Sequence, residues 1–200
     1  CGGIMIGQDE LRLLEEQCVQ ECAPACAAAC PLHVDVRGVM AAAAQGDMAG
    51  ALKLLVRTLP FPGIIGRVCE RPCEAPCKRG EVGDVVQIRA IERACADLGG
   101  RRELPRVLPK RPKRVAVVGG GLSGLTAAYD LARKGYTVTV HEARAWLGGS
   151  LWESPEELLP RAILEEELAI VEALGVKIQV NAPLPPDGLV ALRGSVDAVY

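Results

Sequence analysis

Seven cysteines in two tight runs are the residues of this chain best suited to chemistry. The first run is Cys18, Cys22, Cys26 and Cys30, spaced by three residues at each step and closed by Pro31. The second is Cys69, Cys73 and Cys77, with the same spacing. Cys1 and Cys95 bring the total to nine, all within the first 95 of 200 residues. Three chemistries compete for this pattern. Disulfides need an oxidising compartment, and the opening residues CGGIMIGQDE lack the basic and apolar regions of an export signal. Structural zinc takes four ligands per tetrahedral site, and seven clustered thiols do not divide neatly into fours. Iron–sulfur cubanes favour dense thiolates, a Cys-Pro step and a remote ligand from another segment, which accounts for the pattern best. A structural zinc module remains the rival reading. His33 and His141 are isolated and read as structural.

A second constellation lies where the cysteines stop. Gly119, Gly120, Gly121, Leu122, Ser123 and Gly124 follow an apolar run, RVAVV (114–118), and open a helical stretch. In that context Gly119 permits a tight turn, Gly121 lets the backbone approach a pyrophosphate, and Gly124 lets helix and strand pack closely. The helix N-terminus supplies N–H groups and a positive dipole end for phosphate. Glu142 ends the next strand, 23 residues after Gly119. Its carboxylate is placed to accept hydrogen bonds from an adenosine ribose, and an acid there disfavours a 2′-phosphate. The glycine fingerprint by itself fits FAD or NAD.

The elements that must position these groups divide the chain in two. Residues 10–17, 34–45, 47–58 and 85–98 read as helices, with Asp47 as an N-cap and Gly99-Gly100 as a stop. Pro60 and Pro62 are expected to end the third of these and begin a loop. Residues 101–114 carry three prolines and seven basic residues without apolar period and read as a solvated linker. Strands at 114–118, 136–142 and 176–180 alternate with helices at 123–134 and 156–173, the signature of a parallel sheet. We therefore expect an α-helical metal-binding domain over residues 1–100, a basic, proline-rich linker over 101–113, and an α/β Rossmann-type domain of βαβ units over 114–200. The net charge of −2 argues against nucleic acid as the main partner, and no apolar run is long enough to span a bilayer. The first residue is not Met, and SVDAVY (195–200) reads as a strand cut short, so the chain reads as a piece of a longer polypeptide.

Three stretches together carry a family resemblance: CVQECAPACAAACP (18–31), GRVCERPCEAPCKRG (66–80) and IERACADL (91–98), followed by the glycine fingerprint. They resemble the N-terminal iron–sulfur domain and adjoining FAD domain of the glutamate synthase small subunit, dihydropyrimidine dehydrogenase and related NAD(P)H-dependent flavin oxidoreductases. The resemblance covers residues from about 10 to 200. It implies two 4Fe–4S clusters ligated in a crossed fashion. One takes Cys18, Cys22, Cys26 and Cys77; the other takes Cys30, Cys69, Cys73 and Glu92. Cys95, three residues beyond Glu92, could replace it but reads more readily as a small buried hydrophobe. The family spaces its first motif x2, x4, x3 where this chain has x3, x3, x3, with the same total span. The stretch LTAAYDLARKGYTVTVHEARAWLGGS (125–150) resembles the flavoprotein pattern and favours FAD. It implies that Gly148 and Gly149 add a second approach to the pyrophosphate, and that Leu184 contacts the adenosine end. The function implied is electron transfer between NAD(P)H, FAD and the clusters toward a partner subunit or domain. The NAD(P)H domain would lie outside these 200 residues. Glutamate synthase small subunit proper is the narrower alternative. No catalytic acid, base or nucleophile is expected, and a cytoplasmic location is.

Overall fold

The computed structural model describes residues 7–9 and 24–200, and it separates into two compact units, Cys1–Arg101 and Arg102–Tyr200. Among the described residues the first unit is helical: α1 (Ala25–Ala29), α2 (Val36–Ala44), α3 (Met48–Leu55), α4 (Pro62–Val68), a 3-10 turn (Lys78–Glu81) and α5 (Ile88–Leu98). Two of these helices start the same way. Asp35 accepts from the Gly38 N–H at 3.0 Å and Asp47 from the Gly50 N–H at 2.8 Å, each satisfying an orphan first-turn donor. Pro62 does not begin a loop, as the sequence suggested. It sits at the first turn of α4, where its fixed φ suits a helix and its missing N–H has no partner to lose.

The core of this unit gathers Val34, Val36, Val39, Ala51, Leu55, Leu59 and Ile88 with the thiols of Cys73 and Cys95. Helices α4 and α5 approach very closely. A Cβ on Gly66 would stand 2.9 Å from the Arg93 Cα, so only glycine permits this contact. The buried Arg67 then reaches across to Asp97 with Nη2 at 2.8 and 2.9 Å from the two carboxylate oxygens, and donates from Nη1 to the Gly63 carbonyl at 3.0 Å.

The second unit is a four-stranded parallel sheet in the order β3-β2-β1-β4, with β1 (Arg114–Val118), β2 (Thr137–His141), β3 (Lys177–Gln179) and β4 (Ala198–Val199). Helix α6 (Leu122–Arg133) connects β1 to β2, α7 (Arg161–Ala173) precedes β3, and α8 (Pro186–Ser195) leads into β4. This order of strands is that of a mononucleotide-binding half of a doubly wound fold. Val117, Val140, Leu125, Ala128, Tyr129, Leu164 and Val171 are fully buried in its core. Helix α7 begins at Arg161, not at 156, because Pro155 and Pro160 hold the intervening residues in a turn. Helix α8 carries two glycines and opens on Pro185 and Pro186, a sequence with little helical signal, and the sequence reading did not include it.

The basic stretch before β1 follows this unit's surface. The Leu108 N–H donates to the Arg133 carbonyl and the Arg111 N–H to the Gly135 carbonyl, both at 2.8 Å. Gly135 is required there: its φ is +86°, and a Cβ would strike the Pro109 carbonyl. Arg102 caps the same face, with Nη2 donating to the Tyr129 hydroxyl at 2.7 Å.

Candidate functional site

Among the described residues, Cys26, Cys30, Cys69, Cys73 and Cys77 sit near helix ends or in turns, where the chain changes direction. Cys26 lies in α1, and Cys30 follows α1 in an extended conformation. Cys69 follows α4 in the same way, and Cys77 immediately precedes the 3-10 turn. Cys73 is buried in the turn between Cys69 and Cys77, and Glu92 is buried on α5 at 6% exposure.

Burial pushes the Cys73 thiol up to about 12, reinforced by Glu92, Cys30 and Cys69. Cys26 is also pushed up, mainly by burial, with Cys77 as its thiol neighbour in electrostatic reach. Burial, then Glu74, pushes the Glu92 carboxyl up to about 7. Cys30, Cys69 and Glu92 thus lie within electrostatic reach of Cys73, and Cys77 within reach of Cys26. Thiols and carboxylates so placed are donors that a strongly positive centre would stabilise in ionised form. Among the described residues no three His, Cys, Asp or Glu side chains converge closely enough for a single metal ion. A cubane, with iron at several corners, holds its donors farther apart than one ion does. The donor chemistry therefore fits 4Fe–4S clusters. Cys18, Cys22 and Cys1 lie outside the described residues.

Cys95 is fully buried in the hydrophobic core, its Sγ 4.0 Å from the Met48 Sδ. Burial and then Glu92 raise its thiol. The His33 Nδ1 stands 3.2 Å from the Ala27 carbonyl oxygen.

In the sheet unit the glycine-rich turn is shaped by three different constraints. Gly119 has φ +103°, a conformation costly for other residues, and its N–H bonds to the His141 carbonyl at 2.8 Å. A Cβ on Gly124 would strike the Gly119 carbonyl oxygen and stand 3.1 Å from Val117 Cγ1, so this glycine serves packing. A Cβ on Gly121 would meet nothing within 4 Å, so no contact within the chain requires a glycine there. Gly121 is also the N-cap of α6. The N–H groups of Leu122, Ser123 and Gly124 have no intrahelical acceptor, as at any helix start. The open space at Gly121 thus lies beside a cluster of donors, the arrangement that takes a pyrophosphate.

The second glycine pair docks on the first. The Gly148 N–H donates to the Gly120 carbonyl at 2.7 Å, and a Cβ on Gly149 would lie 3.2 Å from the Gly121 Cα. Glu142 is buried at the end of β2 and braces this turn. Its Oε2 accepts from the Gly120 N–H at 2.6 Å and its Oε1 from the Arg144 N–H at 2.7 Å. Each carboxylate oxygen keeps a further lone pair for a ligand hydroxyl. The Ala182 N–H bonds to the Glu142 carbonyl at 2.8 Å, which brings the half-buried Leu184 to within two residues of this edge. Sequence reasoning missed Glu74, Arg89 and the Arg67–Asp97 pair. A charged residue between two cysteines, or one on an amphipathic helix, looks like solvated surface until the fold buries it.

Comparison with known proteins finds a family match in each unit. Residues 8–103 match the family model described as dihydropyrimidine dehydrogenase domain II, 4Fe-4S cluster, and residues 114–175 match FAD dependent oxidoreductase. The chain is 34% identical to the beta subunit of an NADP(+)-dependent formate dehydrogenase from Moorella thermoacetica, over 85% of this chain and 28% of that protein. It is 33% identical to the beta subunit of an NADPH-Fe(3+) oxidoreductase from Geobacter sulfurreducens, over 85% of this chain and 26% of that one. It is 35% identical to the glutamate synthase [NADPH] small chain of Bacillus subtilis, over 72% and 30%. The chain thus spans between a quarter and a third of the length of these curated relatives. Fold and site define an iron–sulfur flavoprotein. The chain carries a dihydropyrimidine dehydrogenase-type 4Fe-4S domain followed by FAD dependent oxidoreductase sequence, and it is similar to the NAD(P)H-linked oxidoreductases named above, the glutamate synthase small chain among them.

Proposed function

We propose that this chain is the electron-transfer segment of an oxidoreductase that moves electrons between NAD(P)H, FAD and two 4Fe–4S clusters, and on to a partner subunit or a further domain. The relatives differ in the reaction their names state but share NAD(P)H, so the shared part is electron entry and transfer. When bound, FAD and the clusters supply the exchange between two-electron hydride chemistry and one-electron steps. The chain's own residues hold and orient them. The first cluster is assigned to Cys18, Cys22, Cys26 and Cys77, and the second to Cys30, Cys69, Cys73 and Glu92. The assignment is the one the family resemblance implies; the match of residues 8–103 to a 4Fe-4S domain supports it, as does the electrostatic reach of Cys30, Cys69 and Glu92 to Cys73 and of Cys77 to Cys26.

The flavin is assigned to Gly119, Gly120, Gly121, Leu122, Ser123 and Gly124 at the turn and helix start, with Gly148 and Gly149 closing over them. Glu142 and Leu184 are assigned to the adenosine end. The helical unit to about residue 100 and the sheet unit from 114 act as two domains. A cytoplasmic location suits free thiolate ligands, which a reducing compartment keeps from forming disulfides; among the described residues no helix is long and apolar enough to cross a membrane.

Anaerobic analysis of the full polypeptide tests the assignment. About eight irons per flavin are expected, two cubanes of four. Glu92→Ala should remove or alter one cluster and leave the other's EPR signal unchanged. A colourless zinc protein, or a Glu92→Ala variant with unaltered iron and spectra, would overturn it.

A further inference from the structure

Glu74 is buried at 9% exposure, yet none of the cluster chemistry above uses it. It lies in the turn between Cys73 and Cys77, held by backbone bonds from the Glu74 N–H to the Arg71 carbonyl and from the Cys77 N–H to the Glu74 carbonyl. Its side chain reaches the start of α5. Oε1 accepts from the Arg89 N–H at 3.0 Å. Arg89 is the second residue of α5, and its N–H is one of the helix's orphan donors. The residue that would ordinarily cap this helix, Gln87, makes no side-chain cap bond. A carboxylate from the cysteine motif therefore caps the helix that carries Glu92, where negative charge also complements the dipole.

The same helix end reciprocates. Arg89 Nη1 donates to the Cys69 carbonyl at 2.8 Å. Cys69 is further fixed by the Arg71 N–H, 3.4 Å from its Sγ, a geometry Arg71 reaches by adopting φ +62°. Arg71 also approaches the other Glu74 oxygen, with Nη1 at 3.8 Å. Arg89 and Glu92 are three residues apart and share a helix face.

We propose that Glu74 and Arg89 are positioning residues that clamp the second cysteine motif to the start of α5, so that Cys69, Cys73 and Glu92 close on one and the same cluster. This rests on the ligand set assigned above. Metal sites depend on such outer partners to orient the ligands themselves.

The test uses the full-length polypeptide, purified anaerobically, with iron per flavin and the EPR spectrum of the reduced protein as readouts. Glu74→Ala and Arg89→Ala should each lose roughly half the iron, or retain it with only one cluster's signal displaced. Glu74→Gln keeps an acceptor oxygen and should restore the wild-type iron and spectrum. The clamp is overturned if both alanine variants keep wild-type iron and both signals. It is equally overturned if both clusters are lost together, or if Glu74→Gln is as defective as Glu74→Ala. Glu92→Ala, measured alongside, separates the two layers. Loss of one cluster there with an intact Glu74→Ala protein removes the clamp alone, whereas an unaffected Glu92→Ala protein removes the ligand set and the clamp with it.

Discussion

Two glycines of the same turn should fail in different ways when each is given a methyl group. At Gly124 the added Cβ strikes the Gly119 carbonyl oxygen and comes within 3.1 Å of Val117 Cγ1. Both neighbours belong to β1 or to the turn that follows it, so neither can move without displacing α6 from the sheet. Overpacking of this kind costs about 1–3 kcal/mol. At Gly121 the Cβ enters open space, and its φ of −75° and ψ of 175° suit alanine. The fold should then be unchanged to within about 0.5 kcal/mol. The methyl nevertheless occupies the approach to the helix N–H groups, where a pyrophosphate would lie. Gly121→Ala should weaken FAD binding by at least about tenfold, the equivalent of about 1.4 kcal/mol. The assay compares the thermal midpoint of the flavin-stripped protein with the flavin-to-protein ratio at a fixed concentration of added FAD. Gly124→Ala should lower the midpoint, and Gly121→Ala should lower only the ratio. A Gly121→Ala protein that is destabilised as much as Gly124→Ala, or that keeps the wild-type flavin ratio, would refute the division between a packing glycine and a ligand glycine.

The Arg67–Asp97 pair should be asymmetric. Arg67's side chain is 4% exposed and Asp97's 32%, so Asp97→Ala leaves a buried guanidinium without its partner and should cost about 3–5 kcal/mol. Arg67→Met instead leaves a carboxylate that water reaches and that Arg93 still approaches at 3.5 Å, and should cost less; amide exchange of α4 and α5 measures both, and an equal or larger cost for Arg67→Met refutes this. Cys95→Ala should keep the iron content and both cluster signals, because the thiol packs against Met48 in the core; loss of one cluster would make Cys95 a ligand in place of Glu92.

Several features of this protein were legible without coordinates because they depend on residue type and local order. Cysteine spacing concentrates thiols whatever the fold does. The strand-turn-helix around Gly119 to Gly124 follows from an apolar run, glycines and a helical stretch in succession, and the Asp47 cap follows from an acceptor placed before an apolar helix. Helix α8 stayed hidden because its prolines and glycines carry little local helical preference.

The roles of charged residues were the part only tertiary structure could decide. Glu74 and Arg67 are ordinary surface residues by type, and burial alone turns them into a cap and a cross-helix tie, whereas Glu92, expected as a ligand from the family resemblance, is found buried as well. Glu142 was expected at the end of β2 to meet a ribose, and the fold shows that it also braces the turn through the Gly120 and Arg144 N–H groups. The physical reason is the same in each case. Sequence sets which groups a residue can offer and where along the chain they fall, whereas the partner of a buried donor or acceptor depends on which distant segment the fold packs against it. The two cysteine runs therefore pointed to metal chemistry by themselves, whereas only the fold brings Cys73 of the second run within electrostatic reach of Cys30 of the first.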